Sequence, residues 1–295
     1  MGRCATHYSS HIFALALIRY LENNGVALRF DTLATYPDVE DGICRGILVE
    51  TVGGREYFPA KMVIDATGDA TVCARAGIPT EYGDNFFTYV THEMNADDAE
   101  KLAESGNFCP ARRWRWTGSD LFGNGNENSN NKLLQVRTAD DVTAYMVRGG
   151  RAVLERLEQE CRFSREILSI PTMPQFRKIR RIIGESEFDG TEHDVHIDNA
   201  VGAMGDFRKA GRRFELPYTT LYNKAVRNLY AAGRIISAKG DGWEITRVIS
   251  VAALSGEVAG TAAALCLKQG CDNHTLDVAV LQKALTDAGN RIGGK

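Results

Sequence analysis

The chain has 295 residues, 44% hydrophobic and 25% charged, the balance of a globular protein large enough for a sizeable core and more than one domain. Its formal net charge of −3 leaves no electrostatic footprint for nucleic acid or an anionic membrane surface. Seven cysteines (Cys4, Cys44, Cys73, Cys109, Cys161, Cys266, Cys271) are scattered without a Cys-x-x-Cys, so no metal or iron–sulfur site is expected, and reduced thiols point to the cytoplasm.

Met1 to Thr6 fit the loose myristoylation pattern, and Ile12 to Ile18 the core of a signal peptide. A coincidental terminus followed by a single helix is the simpler reading. Ser9 or Ser10 caps that helix, which runs to about Asn24 with Gly25 as its stop. Its apolar residues lie almost all round, as in a helix buried between layers. Val26 to Phe30 reads as a strand, and Thr32 to Thr35 continues it in a second register. Ile43 to Thr51 and Arg55 to Pro59 answer one another across Gly53-Gly54 as a hairpin or small meander. Lys61 to Ala66 is a short apolar run, consistent with a buried parallel strand. Thr67-Gly68-Asp69 then turns the chain toward a helix from Ala70 to Ala76. No Gly-x-Gly-x-x-Gly turn opens a βαβ unit. Gly123-Asn124-Gly125 sits in a polar loop with no strand before it.

From about Tyr82 the composition shifts. Phe86 to Met94 is aromatic and β-prone, and Asn95 caps a helix to about Ser105. Trp114 and Trp116 stand among Arg112, Arg113 and Arg115. Gly118 to Asn131 reads as a loop. Thr138 to Arg162 is a long amphipathic helix, loosened at Gly149-Gly150. Gln175 to Glu187 is strand-like, with four basic residues between apolar ones. His193, Asp194, His196 and Asp198 cannot put both histidines on one strand face, so no metal site is expected there. One histidine, His196, is a candidate general base.

Asn228 to Leu267 organises the rest. Leu229 to Ala232 has strand length, and Gly233 ends it and allows a close backbone approach. Lys239-Gly240-Asp241-Gly242 carries turn residues. From Arg247 the pattern is helical and rich in Ala, Gly and Ser, with Gly256 and Gly260 four apart. Val248 to Leu267 is long enough to span a membrane. Glu257, Ser250 and Ser255 interrupt it, so a tightly packed buried helix is expected instead. Leu276 to Ala288 forms a last helix, and the residues from Arg291 onward are expected to fray.

Three segments together resemble a known family. Asn228-Leu229-Tyr230-Ala231-Ala232-Gly233-Arg234, Val63 to Asp69 and Arg180-Arg181-Ile182-Ile183-Gly184-Glu185 occur in the order found in FAD-dependent oxidoreductases of the glutathione-reductase-like superfamily. Glu215-Leu216-Pro217-Tyr218 adds a fourth match. The resemblance implies an α/β fold: a Rossmann-like FAD-binding domain with a β-meander, incomplete for lack of the N-terminal glycine unit, and an inserted α+β cap. Residues 1–85 and 215–268 would form the FAD domain, 86–214 the substrate or cap domain, and 269–295 a terminal helix and tail.

The resemblance also implies FAD as cofactor and hydride transfer from a small organic substrate, in a truncated or split form. Thr67, Gly68, Asp69, Gly233, Arg234, Thr246, Arg247 and Val248 would hold the flavin. Gly68, Gly233 and the amide of Val248 are expected to converge on a shared cavity. Arg180 and Arg181 would face an anionic substrate or the flavin; a surface strand held by ion pairs is the equal alternative from the residues alone. The alternative is a non-catalytic subunit or relic that keeps the fold without cofactor. An unpartnered edge at Met62 to Ala66 would call for a second chain or self-association.

Overall fold

A computed structural model describes residues 9–108, 113–119, 134–160, 164–171 and 174–293. The Gly123-Asn124-Gly125 loop, Arg112, Arg162, the N-terminal myristoylation pattern, and Cys4, Cys109 and Cys161 lie outside the described residues. In chain order the elements are α1 (Ser10–Asn23), β1 (Leu33–Glu40), β2 (Ile43–Thr51), β3 (Gly54–Pro59), β4 (Val63–Asp65), α2 (Thr71–Arg75) and β5 (Thr80–Tyr82). Then come β6 (Thr88–Asn95), α3 (Ala96–Ser105), β7 (Arg113–Gly118), α4 (Ala139–Glu158), β8 (Arg165–Ser169) and β9 (Arg180–Ile182). Last are β10 (Ala200–Gly205), β11 (Arg213–Pro217), β12 (Leu229–Ala231), α5 (Gly240–Thr246), α6 (Ile249–Gln269) and α7 (Val278–Asp287). The fold is mixed α/β.

The chain divides into two compact units, Met1–Phe30 with Asn85–Phe176, and Asp31–Asp84 with Arg177–Lys295. The divisions fall at 30/31, 84/85 and 176/177, where 85/86 and 214/215 were expected from sequence. The segment 177–214 therefore belongs with the glycine-rich elements around it and not with the middle region.

The first unit is built on an antiparallel sheet in the order β7-β6-β8. Asn95 and Thr138 each close a reciprocal capping box, with Asp98 and Asp141, at the starts of α3 and α4. Helix α4 is continuous through Gly149-Gly150. Gly149 serves packing: a Cβ there would fall 2.0 Å from the Tyr89 ring. The buried Glu93 carboxylate draws in Arg156 and, at 3.1 Å, Arg165. Helix α1 has no buried residue, and Ile12, Leu15 and Tyr20 are exposed, against the burial that its apolar circumference suggested. An all-round apolar pattern permits cover on every side but does not supply it.

The second unit holds the main core. β1-β2-β3 is an antiparallel meander, as the Gly53-Gly54 turn foretold. Val26 to Phe30 form no strand; β1 begins instead at Leu33 and runs on to Glu40. β12 and β4 pair in parallel, Leu229 opposite Val63 and Ala231 opposite Asp65. Helix α6 buries Val251, Ser255, Val258, Ala259, Ala262, Ala263 and Cys266, the three-and-four spacing of one helical face. It is the one described helix long and apolar enough to cross a membrane, and this face instead packs into the protein core. Leu276 and, from α7, Leu281 and Leu285 complete that core. Arg291 and Ile292, where fraying was expected to begin, are docked: the Ala203 amide donates to the Arg291 carbonyl at 3.0 Å, and Ile292 packs on the core.

Lys239-Gly240-Asp241-Gly242 opens a helix, α5, where turn chemistry suggested a loop. Gly242 makes this possible, because a Cβ there would lie 2.3 Å from the Phe188 carbonyl. Of Gln175 to Glu187, only β9 is strand.

Candidate functional site

The site is assembled from two strand ends and one helix start, all in the second unit. β4 and β12 run side by side, and the Ala232 amide donates to the Asp65 carbonyl at 2.9 Å, carrying the pairing one residue past the strand. Both chains then turn through left-handed glycines, Gly68 at φ +78° and Gly233 at φ +78°, a region open to glycine at little cost.

The turn after β4 is held from below by a residue that sequence reasoning passed over. Asp65 is buried, and one carboxylate oxygen accepts the Thr67 amide at 2.9 Å and the Thr67 hydroxyl at 2.7 Å. The other accepts the Cys73 amide from α2 at 2.8 Å. Asp69 accepts the Thr71 amide and hydroxyl. The side chains of Thr67 and Asp69 are thus engaged within the turn. The signal available in sequence was a lone acid ending an apolar strand, which is rarely buried unless it is hydrogen-bonded.

Arg234 links the two strand ends. Its Nε donates to the Gly68 carbonyl, and a Cβ on Gly68 would meet the Arg234 guanidinium at 3.0 to 3.3 Å. The close approach that requires glycine at 68 is therefore the approach of Arg234. Burial lowers the Arg234 pKa, the nearby Asp69 charge opposes that shift, and the Arg247 charge adds to it. Trp243 Nε1 donates to the Arg234 carbonyl at 2.8 Å and fixes the backbone behind it.

Gly233 faces α6. Its amide donates to Ser255 Oγ at 2.8 Å. A Cβ on Gly233 would meet only the Ala252 methyl, at 3.9 Å. Ala252 lies in the first turn of α6 and its amide donates to the Val248 carbonyl. Val248 is the N-cap and supplies no side-chain cap, so the leading amides of a 21-residue helix keep their partial positive charge unmet by their own cap residue. Gly68, Arg234, Gly233 and the start of α6 are contiguous, the first through Arg234 and the last through Ala252.

The other sequence-derived candidates are placed as follows. Thr246 is fully buried at the end of α5, its hydroxyl turned back toward the Trp243 carbonyl. Arg247 pairs with Glu244, Nε to carboxylate at 2.7 Å. Arg180 Nε donates to the Asp69 carbonyl at 2.9 Å and so reaches the β4 turn. Arg181 is fully buried, and its guanidinium pairs with Glu81 and Glu187, each at 2.6 Å, which is the arrangement of a structural ion pair. Gly184 in the same motif lets the chain approach Thr219 and Tyr222, whose carbonyls would lie 2.9 and 3.0 Å from a Cβ. His196 is exposed and joined to Glu215 at 3.2 Å, and no bond connects it with the two glycines. Among the described residues no His, Cys, Asp or Glu group could hold a metal.

The sequence pattern of the family described as FAD dependent oxidoreductase matches residues 2–132 and 191–285, more than half of the chain. The chain belongs to the FAD dependent oxidoreductase family. Flavoproteins of this family are enzymes with FAD as cofactor. No curated protein is similar enough to stand as a relative. Among solved structures, the chain is similar to p-nitrophenol 4-monooxygenase PnpA from Pseudomonas putida DLL-E4 at 12% identity and TM-score 0.46, over 94% of this chain and 58% of that one. It is also similar to aklavinone-11 hydroxylase in complex with FAD and aklavinone, at 13% identity and TM-score 0.42, over 88% and 42%. L-proline dehydrogenase from P. horikoshii follows at 12% and 0.34, over 94% and 60%. The chain spans less than two thirds of the length of each.

The residues present fit an FAD-type group. A Cβ on Gly233 would meet only the Ala252 methyl, the helix start beside it lacks a side-chain cap, and Arg234 holds its guanidinium against the neighbouring β4 turn at Gly68. An electron-rich or anionic ring edge is the chemistry that such a donor set takes.

Proposed function

We propose that this chain forms the flavin-holding part of an FAD-dependent oxidoreductase that takes hydride from a small organic substrate in the cytoplasm. The observation that carries the reading is the contiguity of Gly68, Arg234, Gly233 and the uncapped start of α6. FAD, when bound, supplies the hydride acceptor. The chain's residues do the holding. Gly233 leaves room for a close approach to the backbone. The leading amides of α6 and the Arg234 guanidinium offer positive charge where negative charge would build up on reduction. Asp65 and Arg180 fix the β4 turn from beneath, and Ser255 fixes Gly233. Cys44, Cys73, Cys266 and Cys271 are free thiols, in keeping with a reducing compartment.

Among the described residues β4 pairs only with β12, and Ile64 at its centre is partly exposed. In this reading that edge takes a further strand, from a second chain or a second copy. A monodisperse monomer by light scattering across the micromolar range would contradict this part.

FAD titration of the purified chain, followed by flavin fluorescence, tests the main proposal. Saturable binding is expected, with Gly233→Val weakening it at least about tenfold, a loss of about 1.4 kcal/mol. Because the protein itself leaves room at Gly233, the variant's own cost is backbone strain of about 1 to 2 kcal/mol, checked by circular dichroism. A folded Gly233→Val chain that binds FAD as well as the parent would overturn the placement.

A further inference from the structure

Helix α6 ends in a tight left-handed stop. Gly270 has φ +66°, and its amide and that of Cys271 both donate to the Cys266 carbonyl, the latter at 3.1 Å. This six-to-one bond is the mark of the Schellman motif, in which the side chains of the two residues joined by that bond meet. Those two positions are Cys266 and Cys271. Cys271 is close enough to raise the Cys266 pKa, and its own sulfur lies 4.0 Å from the Gln269 side-chain oxygen. The two differ in access: Cys266 is 1% exposed and lies 3.4 Å from the Tyr230 hydroxyl, whereas Cys271 is half-buried.

We propose that Cys266 and Cys271 are an oxidisable dithiol, in which hydrogen peroxide oxidises Cys271 and Cys266 then closes a disulfide across the end of α6. In the first step the Cys271 thiolate attacks the peroxide oxygen. An S–O bond forms, the O–O bond breaks and the leaving oxygen departs as water once protonated. In the second step the Cys266 sulfur attacks the Cys271 sulfur. The S–S bond forms, the S–O bond breaks, and hydroxide leaves as water with the Cys266 proton. Two thiols and one peroxide give one disulfide and two waters.

The order of events follows from the surroundings. Burial above all pushes the Cys266 thiol up to about 11, with the neighbouring Cys271 adding to it, so Cys266 is a poor first nucleophile. Cys271 is the thiol that a small oxidant can reach. The six-to-one backbone bond ties Cys271 to Cys266 across the helix end, and the side-chain contact that accompanies such a motif is what would bring the two sulfurs together for a disulfide. Closure would also take the Cys266 sulfur from the Tyr230 hydroxyl on β12, so the thiol state is felt in the strand that leads to Gly233.

Lys268 lies between the two cysteines, which makes the test direct. The purified chain is treated with hydrogen peroxide, blocked with an alkylating agent and digested with trypsin without reductant. The tryptic fragments 248–268 and 269–283 are expected to stay joined, to separate on adding a dithiol reductant, and to be separate throughout in Cys271→Ser. Cys271 is partly exposed, so that variant is expected to fold, and its thermal transition confirms it. Dimedone labelling of Cys271 in Cys266→Ala reports the sulfenic acid on its own. Oxidation of Cys271 to sulfinic acid with the fragments unjoined would overturn the proposal, as would a Cys271 that stays reduced while other thiols react.

Discussion

A single buried carboxylate sets the geometry of the β4 turn. Asp65 accepts three hydrogen bonds within eight residues of chain, and each is charge-assisted. Asp65→Asn keeps the shape but turns an amide N–H₂ toward a donor. We expect a loss of about 2 to 3 kcal/mol in urea unfolding, larger than for Asp69→Asn, because Asp69 is less buried and accepts fewer of these bonds. Equal effects of the two would remove Asp65 from this role. The two glycines of the site differ in the same physical terms. Gly68 is crowded by Arg234 and Gly233 is open, so Gly68→Ala is expected to disturb Arg234 and lower stability, whereas Gly233→Ala leaves the protein's own contacts intact. A thermal transition lowered more by Gly233→Ala than by Gly68→Ala would reverse that assignment.

At the scale of elements, α4 gives a matched pair. Gly149 lies against the Tyr89 ring and Gly150 meets nothing within 4 Å. Gly150→Ala is expected to stabilise by about 0.5 to 1 kcal/mol through helix propensity. Gly149→Ala is expected to cost about 1 to 3 kcal/mol, since a buried ring must move. The same unit carries a pH signature. Burial alone would raise the Glu93 pKa, but hydrogen bonds from Arg156 and Thr91 and the charges of Arg156 and Arg165 outweigh it and hold the group low. A folded pKa below the unfolded one contributes stability above the unfolded value of about 4.3, and that contribution is lost as pH falls through the folded value. Urea midpoints should therefore fall as pH is lowered below about 5, and less steeply in Glu93→Gln. An unchanged slope in that variant would assign the acid sensitivity to other carboxylates.

Over the whole molecule, what the sequence made legible was local. Asn95 announced the start of α3 through its capping chemistry. The Gly53-Gly54 turn announced the meander, and the order of four short motifs announced the family. What it hid depended on contacts far along the chain. Val26 to Phe30 has the composition of a strand, yet a strand forms only where an edge receives it. The basic run around Arg181 read either as an anion-binding face or as a strand with ion pairs; what separates the two at Arg181 is Glu81, 100 residues away, which pairs with the guanidinium. Gly240 to Gly242 read as a loop because the close packing that starts α5 there is set by Phe188. Of the site, the glycines and the helix start were visible, because backbone freedom and helix polarity are properties of residue type. Asp65 and Ser255, which hold them, were not, because a satisfied buried polar group shows itself only through its partners.

All of this meets in one place, the contiguous backbone from Thr67 to Asp69, from Ala232 to Arg234, and from Ile249 to Val251. Amide hydrogen exchange of the chain with and without saturating FAD measures that place directly. The account predicts that exchange slows in those three segments together, and that the slowing vanishes in Gly233→Val. Protection confined to other segments, or no change at FAD concentrations that saturate fluorescence, would contradict it.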